Sequence, residues 1–184
     1  MLKKTILALG FIAAGIGSSG LAQAADDGTI HFTGTILASA CSVSSVAGSG
    51  TTAGTVAFGQ VSSAALAGAG DATAAVPFSI ELTHCAVDAA PDITFKGPAV
   101  TTTGYTSLFT SQVPGVGIRL EDAGNIGSFY TPGVAAANSG FSGLKEGVAS
   151  ATGRFNAYLV AYNQGNYTGS INTDVTFVLD YSES

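Results

Sequence analysis

Cys41 and Cys85 are the side chains with the most chemistry to offer in this 184-residue chain. As thiolates they would be nucleophiles or soft metal ligands, but in an exported chain the default is one intramolecular disulfide. Two buried free thiols are the alternative. His31 and His84 are the only histidines, and the acids near them do not supply a three-ligand zinc spacing. His31 is expected on the outer face of a strand and His84 in the turn before Cys85. Glu121 and Asp122, with Asp88 and Asp92, invite a calcium or acid/base reading, although acids at such positions more often solvate loop ends. Gly15-Ile-Gly17-Ser-Ser-Gly20 has the glycine spacing of a dinucleotide loop but no strand ahead of it. There is no Gly-x-Ser-x-Gly elbow, and Asn166-Tyr-Thr168 is only formally a glycosylation sequon. These residues imply no enzyme, no cofactor and no metal site.

The chain begins Met1-Leu-Lys3-Lys4, runs uncharged from Thr5 to Gly17, and reaches small residues at Ala22 and Ala24 before Asp26-Asp27. This is the pattern of a secretory signal peptide, with cleavage expected after Ala24, and the apolar run is too short to span a bilayer. Residues 1–24 are therefore set apart from the fold, and the 160 that follow suit one domain. They keep all twelve acids but only Lys96, Arg119, Lys145 and Arg154 as bases, a net charge of −8. An acidic chain without a basic cluster repels phosphate, which argues against nucleic acid or an anionic membrane as partner.

The elements that must position these residues are strands. Gly, Thr, Ser, Ala and Val dominate, glycine or proline interrupts at short intervals, and helical periodicity is nearly absent. In Val76-Pro-Phe78-Ser-Ile80-Glu-Leu82-Thr83 the apolar residues fall at every second position, as in a strand with one buried face. The same alternation returns in Val175, Phe177, Leu179 and Tyr181. Further strands are expected over 29–37, 55–58, 92–95, 116–120 and 154–162, which together indicate a β-sandwich. Ser62 to Ala69 is the one stretch that suits a helical turn or two. Extending the alternation past Leu82 puts Cys85 on the polar face, so the strand must end or bulge near Thr83 and His84.

Ahead of Cys41, Gly28, Ile30, Phe32, Gly34 and Ile36 share one face of an extended segment and Thr29, His31, Thr33 and Thr35 the other. A terminus usually frays unless something ties it down. Two destinations stay open on this pattern alone: the first strand of the chain's own sandwich, or a strand added to the open edge of another molecule, where backbone hydrogen bonds and side-chain pockets would hold it.

The stretch from Gly28 to Val43 resembles the opening of chaperone–usher fimbrial subunits of the type 1 pilin family. Val56-Ala-Phe-Gly-Gln-Val61, Val76 to Cys85, Val116-Gly-Ile-Arg-Leu-Glu-Asp122, Arg154 to Tyr162 and Asp174 to Tyr181 resemble later segments of that family in the same order. The resemblance implies an all-β fold, an incomplete immunoglobulin-like sandwich completed by a donor strand from a neighbouring subunit or a chaperone. It implies an arm at residues 25–38 and a pilin domain at 39–184, with Gly28, Ile30, Phe32 and Gly34 facing a neighbour's groove. Cys41 and Cys85 would be the family disulfide. Val175, Phe177, Leu179 and Tyr181 would border the acceptor edge.

The partners so implied are a periplasmic pilus chaperone, an outer-membrane usher, and identical or related subunits in an adhesive fimbria at the cell surface. The second reading is a minor adaptor or tip-associated subunit. A two-domain tip adhesin would need a further lectin domain, for which 160 residues leave no room. One departure stands out: the family tyrosine is usually penultimate, whereas Ser182-Glu-Ser184 follows Tyr181 here.

Overall fold

The structure, a computed structural model, describes residues 41–85, 90–137, 140–141, 144 and 148–181. The leader, the arm with Gly28, Ile30, Phe32 and Gly34, and the strand expected over 29–37 lie outside the described residues. Nine strands are assigned among the described residues: β1 Ser42–Val46, β2 Val76–Thr83, β3 Asp92–Lys96, β4 Phe109–Thr110, β5 Val116–Asp122, β6 Phe129–Tyr130, β7 Ala135–Ala136, β8 Ser150–Ala161 and β9 Thr176–Asp180. One sheet has the order β1-β2-β8-β5-β4, with β6 also on β5, and the other has the order β7-β3-β9. Every pairing is antiparallel.

The alternation in sequence sets which face of each strand turns inward. Ile80 and Leu82 of β2, Ile118 and Leu120 of β5, and Phe155, Ala157 and Leu159 of β8 are buried in one core cluster with Ile93 and Phe95 of β3. The two sheets thus close on each other through these side chains, as in a sandwich. Phe155 is the hub. Its ring meets Phe78, Phe95, Tyr130 and Phe141 at centroid distances of 5.2, 5.5, 5.7 and 5.9 Å. The backbone beside it must be bare: a Cβ on Gly153 would stand 2.7 Å from the Phe141 ring and 2.9 Å from that of Phe155.

Several expectations take sharper form. The strand over 154–162 begins four residues earlier, at Ser150, and the expected helical turn is a 3-10 turn over Ser63–Leu66. The parity of Cys85 is resolved by the strand's ending at Thr83, after which His84 adopts a left-handed φ of 53°. Cys41 and Cys85 are joined in a disulfide, so the end of β2 is tied to the start of β1.

Two expectations are corrected. Residues 55–58 are not a paired strand: no ladder is assigned to 55–61 among the described residues, although Val56, Phe58 and Val61 pack on the core. The period-two pattern reported the buried face correctly, but a ladder also needs a neighbouring backbone. Glu121 and Asp122 are not loop-end acids. They close β5 at 3% and 6% exposure, and their oxygens accept bonds from the Gly127, Gly124 and Gly140 amides. Among the described residues no group of three or more His, Cys, Asp and Glu side chains could hold a metal ion.

Candidate acceptor edge

β9 is held on one side only among the described strands. Its ladder runs to β3, with Phe177 opposite Phe95 and Leu179 opposite Ile93. Because Ile93 and Phe95 are buried, this register turns Phe177 and Leu179 toward the core, and with Val175 and Tyr181 they pack against it. None of the four is fully covered; each is half-buried. Among the described residues the strand therefore combines an unpaired row of backbone donors and acceptors with apolar side chains only partly removed from water, the chemistry of an edge that another strand can extend.

Tyr181 marks the end of this edge. Its hydroxyl is buried, with no hydrogen bond of good geometry among the described residues. Burial pushes the phenol up, and the Cys41 backbone nearby offsets part of that shift. The residue just after β9 thus lies beside the one just before β1, Cys41, which the disulfide fixes to Cys85.

At the other end of β2 an open recess of about 480 Å³ lies between Ala47–Gly48, Thr55–Ala57 and Val76–Ser79, with Phe155 in its lining and Arg154 beside it. Phe155 meets Phe95 at 5.5 Å and Phe95 meets Phe177 at 6.4 Å, so a continuous aromatic row connects the recess to the inner face of β9. Residues 55–61 join this site from outside the sequence expectation. They make no backbone–backbone hydrogen bond among the described residues, yet every second side chain from Val56 to Phe58 touches the core. They are a second length of backbone on the same core without an assigned ladder among the described residues. The signal was present in the alternation Val56, Phe58; what the sequence did not reveal is that no ladder is assigned to it among the described residues.

Comparison with known proteins bears on what such an edge is for. A family model described as "Fimbrial protein" matches residues 30–182. This chain belongs to the fimbrial protein family. It is 33% identical to the "Fimbrial subunit type 1" of Salmonella typhimurium over 189 residues, covering 98% of this chain and 97% of that one. To the "Type-1 fimbrial protein, C chain" of Escherichia coli it is 33% identical, over 84% of this chain and 83% of that one. Among solved structures the P pilus rod subunit PapA superposes with a TM-score of 0.59 at 21% identity, covering 77% of this chain and 99% of PapA. A subunit from a chaperone–usher pilus gives 0.60 over 86% and 98%. The two-sheet arrangement of this fimbrial protein is accordingly the incomplete immunoglobulin-like fold of pilus subunits, and its role is that of a structural pilus subunit.

A second cluster, on the outer face of the larger sheet, has a different character. The Glu121 carboxylate accepts bonds from the Tyr158 hydroxyl, from Asn156 Nδ2 at 3.1 Å and from the Gly127 amide at 2.9 Å. Burial by itself would raise its pKa, but the bonds from Tyr158, Gly127 and Asn156 and the charge of Arg119 outweigh burial and lower it. The Tyr158 hydroxyl is raised in turn, first by its bond to Glu121 and then by burial. These bonds fasten the β5–β6 connection to the sheet.

Proposed function

We propose that this protein polymerises by donor-strand exchange, with β9 as acceptor and residues 25–38 as donor. After removal of residues 1–24, the arm of one subunit lies along the free edge of β9 in the next. Gly28, Ile30, Phe32 and Gly34 face its core, and Val175, Phe177, Leu179 and Tyr181 border the groove. The observation that carries this reading is the register of β9, which aims Phe177 and Leu179 at the core while leaving them half-covered, with one strand edge unpaired among the described residues. The recess beside Val56 and Phe78 suits an apolar side chain of the incoming strand, and residues 55–61 supply a second backbone rail.

An exposed edge over an incomplete core is an aggregation hazard, which gives a periplasmic chaperone its purpose before an outer-membrane usher directs exchange. Identical or related subunits follow one another, and the fibre is displayed at the cell surface. The subunit works as structure, not as a catalyst.

The test is capture of a synthetic peptide spanning residues 25–38 by a chain lacking residues 25–34, released from its chaperone. The peptide should bind and raise the unfolding midpoint, and the same peptide with Phe32→Asp should not, because a carboxylate in an apolar groove is unpaired. Equal stabilisation by both peptides would overturn the assignment.

A further inference from the structure

On the outer face of the larger sheet Val100, Leu108 and Val160 form a small buried cluster of their own, and Tyr105, Tyr158 and Tyr162 pack against it half-covered. Tyr105 and Tyr162 meet there with ring centroids 6.2 Å apart and planes tilted by 47°. They are the one tyrosine–tyrosine ring pair among the described residues, which include every tyrosine of the chain. Both backbones are anchored. Tyr105 N–H donates to Thr102 O at 2.9 Å and its carbonyl accepts from Leu108 N–H at 3.0 Å, while Tyr162 N–H donates to Gly115 O at 2.8 Å. The other tyrosines are placed differently. Tyr130 is buried in the main core, Tyr158 donates its hydroxyl to the Glu121 carboxylate, Tyr167 donates to the Asn163 carbonyl, and the Tyr181 hydroxyl is buried just after β9.

We infer that Tyr105 and Tyr162 are a site of oxidative coupling within one chain, which takes a haem peroxidase with hydrogen peroxide as its one-electron oxidant and yields a dityrosine bond. Each phenol gives up one electron and one proton and becomes a phenoxyl radical, whose unpaired electron is shared onto the ring carbons ortho to oxygen. A Cε of Tyr105 bonds to a Cε of Tyr162, and the hydrogen on each of those carbons passes to its own phenol oxygen as aromaticity returns. The two tyrosines thereby lose two hydrogens, and one hydrogen peroxide takes them up to give two waters. Proximity selects the pair: two rings held on one apolar floor meet at an effective concentration that separate molecules do not reach. Compartment permits it, because a chain that carries the Cys41–Cys85 disulfide works where oxidants persist. The bond ties the connection between β3 and β4 to the end of β8, a cross-link that constrains the unfolded chain as a disulfide does. Neither tyrosine belongs to the β3–β9 ladder, so the acceptor strand is untouched, and a coupling within one chain does not depend on polymerisation.

The experiment treats the mature chain, purified as it is exported, with a plant haem peroxidase and hydrogen peroxide. The product is boiled so that only covalent bonds hold chains together, and the single-chain band is read by dityrosine fluorescence and by mass mapping of its peptides. The wild type should fluoresce and give a peptide pair joined at positions 105 and 162 and lighter by two hydrogens than its parts. Tyr105→Phe and Tyr162→Phe, which remove only a hydroxyl and keep the rings packed, should each lower the single-chain signal by about tenfold or more. Tyr167→Phe, at a tyrosine outside the pair, should leave it unchanged. A single-chain band without dityrosine in the wild type overturns the inference, as does a signal undiminished in both Tyr105→Phe and Tyr162→Phe or a mapped link between any other two tyrosines. Dityrosine confined to bands of higher mass would place the coupling between chains and contradict it equally.

Discussion

Phe177 stands directly opposite Phe95 in the β3–β9 ladder, their ring centroids 6.4 Å apart. Through Phe95 it reaches Phe155 and the centre of the core, while its own strand has no second neighbour among the described residues. Phe177 is thus both core and edge. Phe177→Ala should lower stability by roughly 1–2 kcal/mol, less than a fully buried phenylalanine would, and should weaken capture of the 25–38 peptide. Thr176→Ala, on the exposed side of the same strand, should change stability by under about 0.5 kcal/mol. Urea unfolding and peptide titration of both variants check this; equal effects would mean that the face assignment of β9 is mistaken.

The Cys41–Cys85 bond closes a separation of 44 residues and ties β1 to the end of β2. Replacing both cysteines by alanine should cost about 4 kcal/mol on the chain-entropy account. The loss should appear as a lower urea midpoint in the chaperone-free domain and as poor yield of chaperone complex. A midpoint unchanged from the oxidised wild type would show that the bond contributes nothing.

Glu121 gives the stability curve an acid limb with a definite sign. Its folded pKa is lowered by Tyr158, Gly127, Asn156 and Arg119 against the opposing effect of burial. The stabilisation is therefore complete above its ordinary value of about 4.3 and is lost as pH falls through the lower folded value. Glu121→Gln should cost about 1–3 kcal/mol at pH near 7 by leaving donors poorly matched, and the gap from wild type should narrow at pH near 3. Urea midpoints at the two pH values decide it; a gap that widens in acid would contradict the lowered pKa.

Much of this arrangement was legible in the sequence because alternation reports burial directly. Val76–Thr83 and the strand bearing Phe177 and Leu179 appear where the period-two pattern put them. The same pattern misled at 55–58, since apolar alternation records contact with a core and says nothing of a backbone neighbour. The two-residue strands β4, β6 and β7 are too short to carry any period. Glu121 and Asp122 were misjudged because acids are seldom buried, and their exemption depends on donors from Gly127, Asn156 and Gly140, which are distant or irregular in sequence. The proximity of Tyr181 and Cys41 brings together residues 140 positions apart, and no local pattern encodes it.

The central claim is that residues 25–34 of one subunit complete the next at β9. The most direct measurement co-expresses the mature chain, with and without those residues, beside the cognate chaperone and resolves the products on a gel without boiling. The full chain should give a heat-labile ladder of oligomers, and the truncated chain should remain a one-to-one complex with the chaperone. Ladders that persist after truncation would contradict the account.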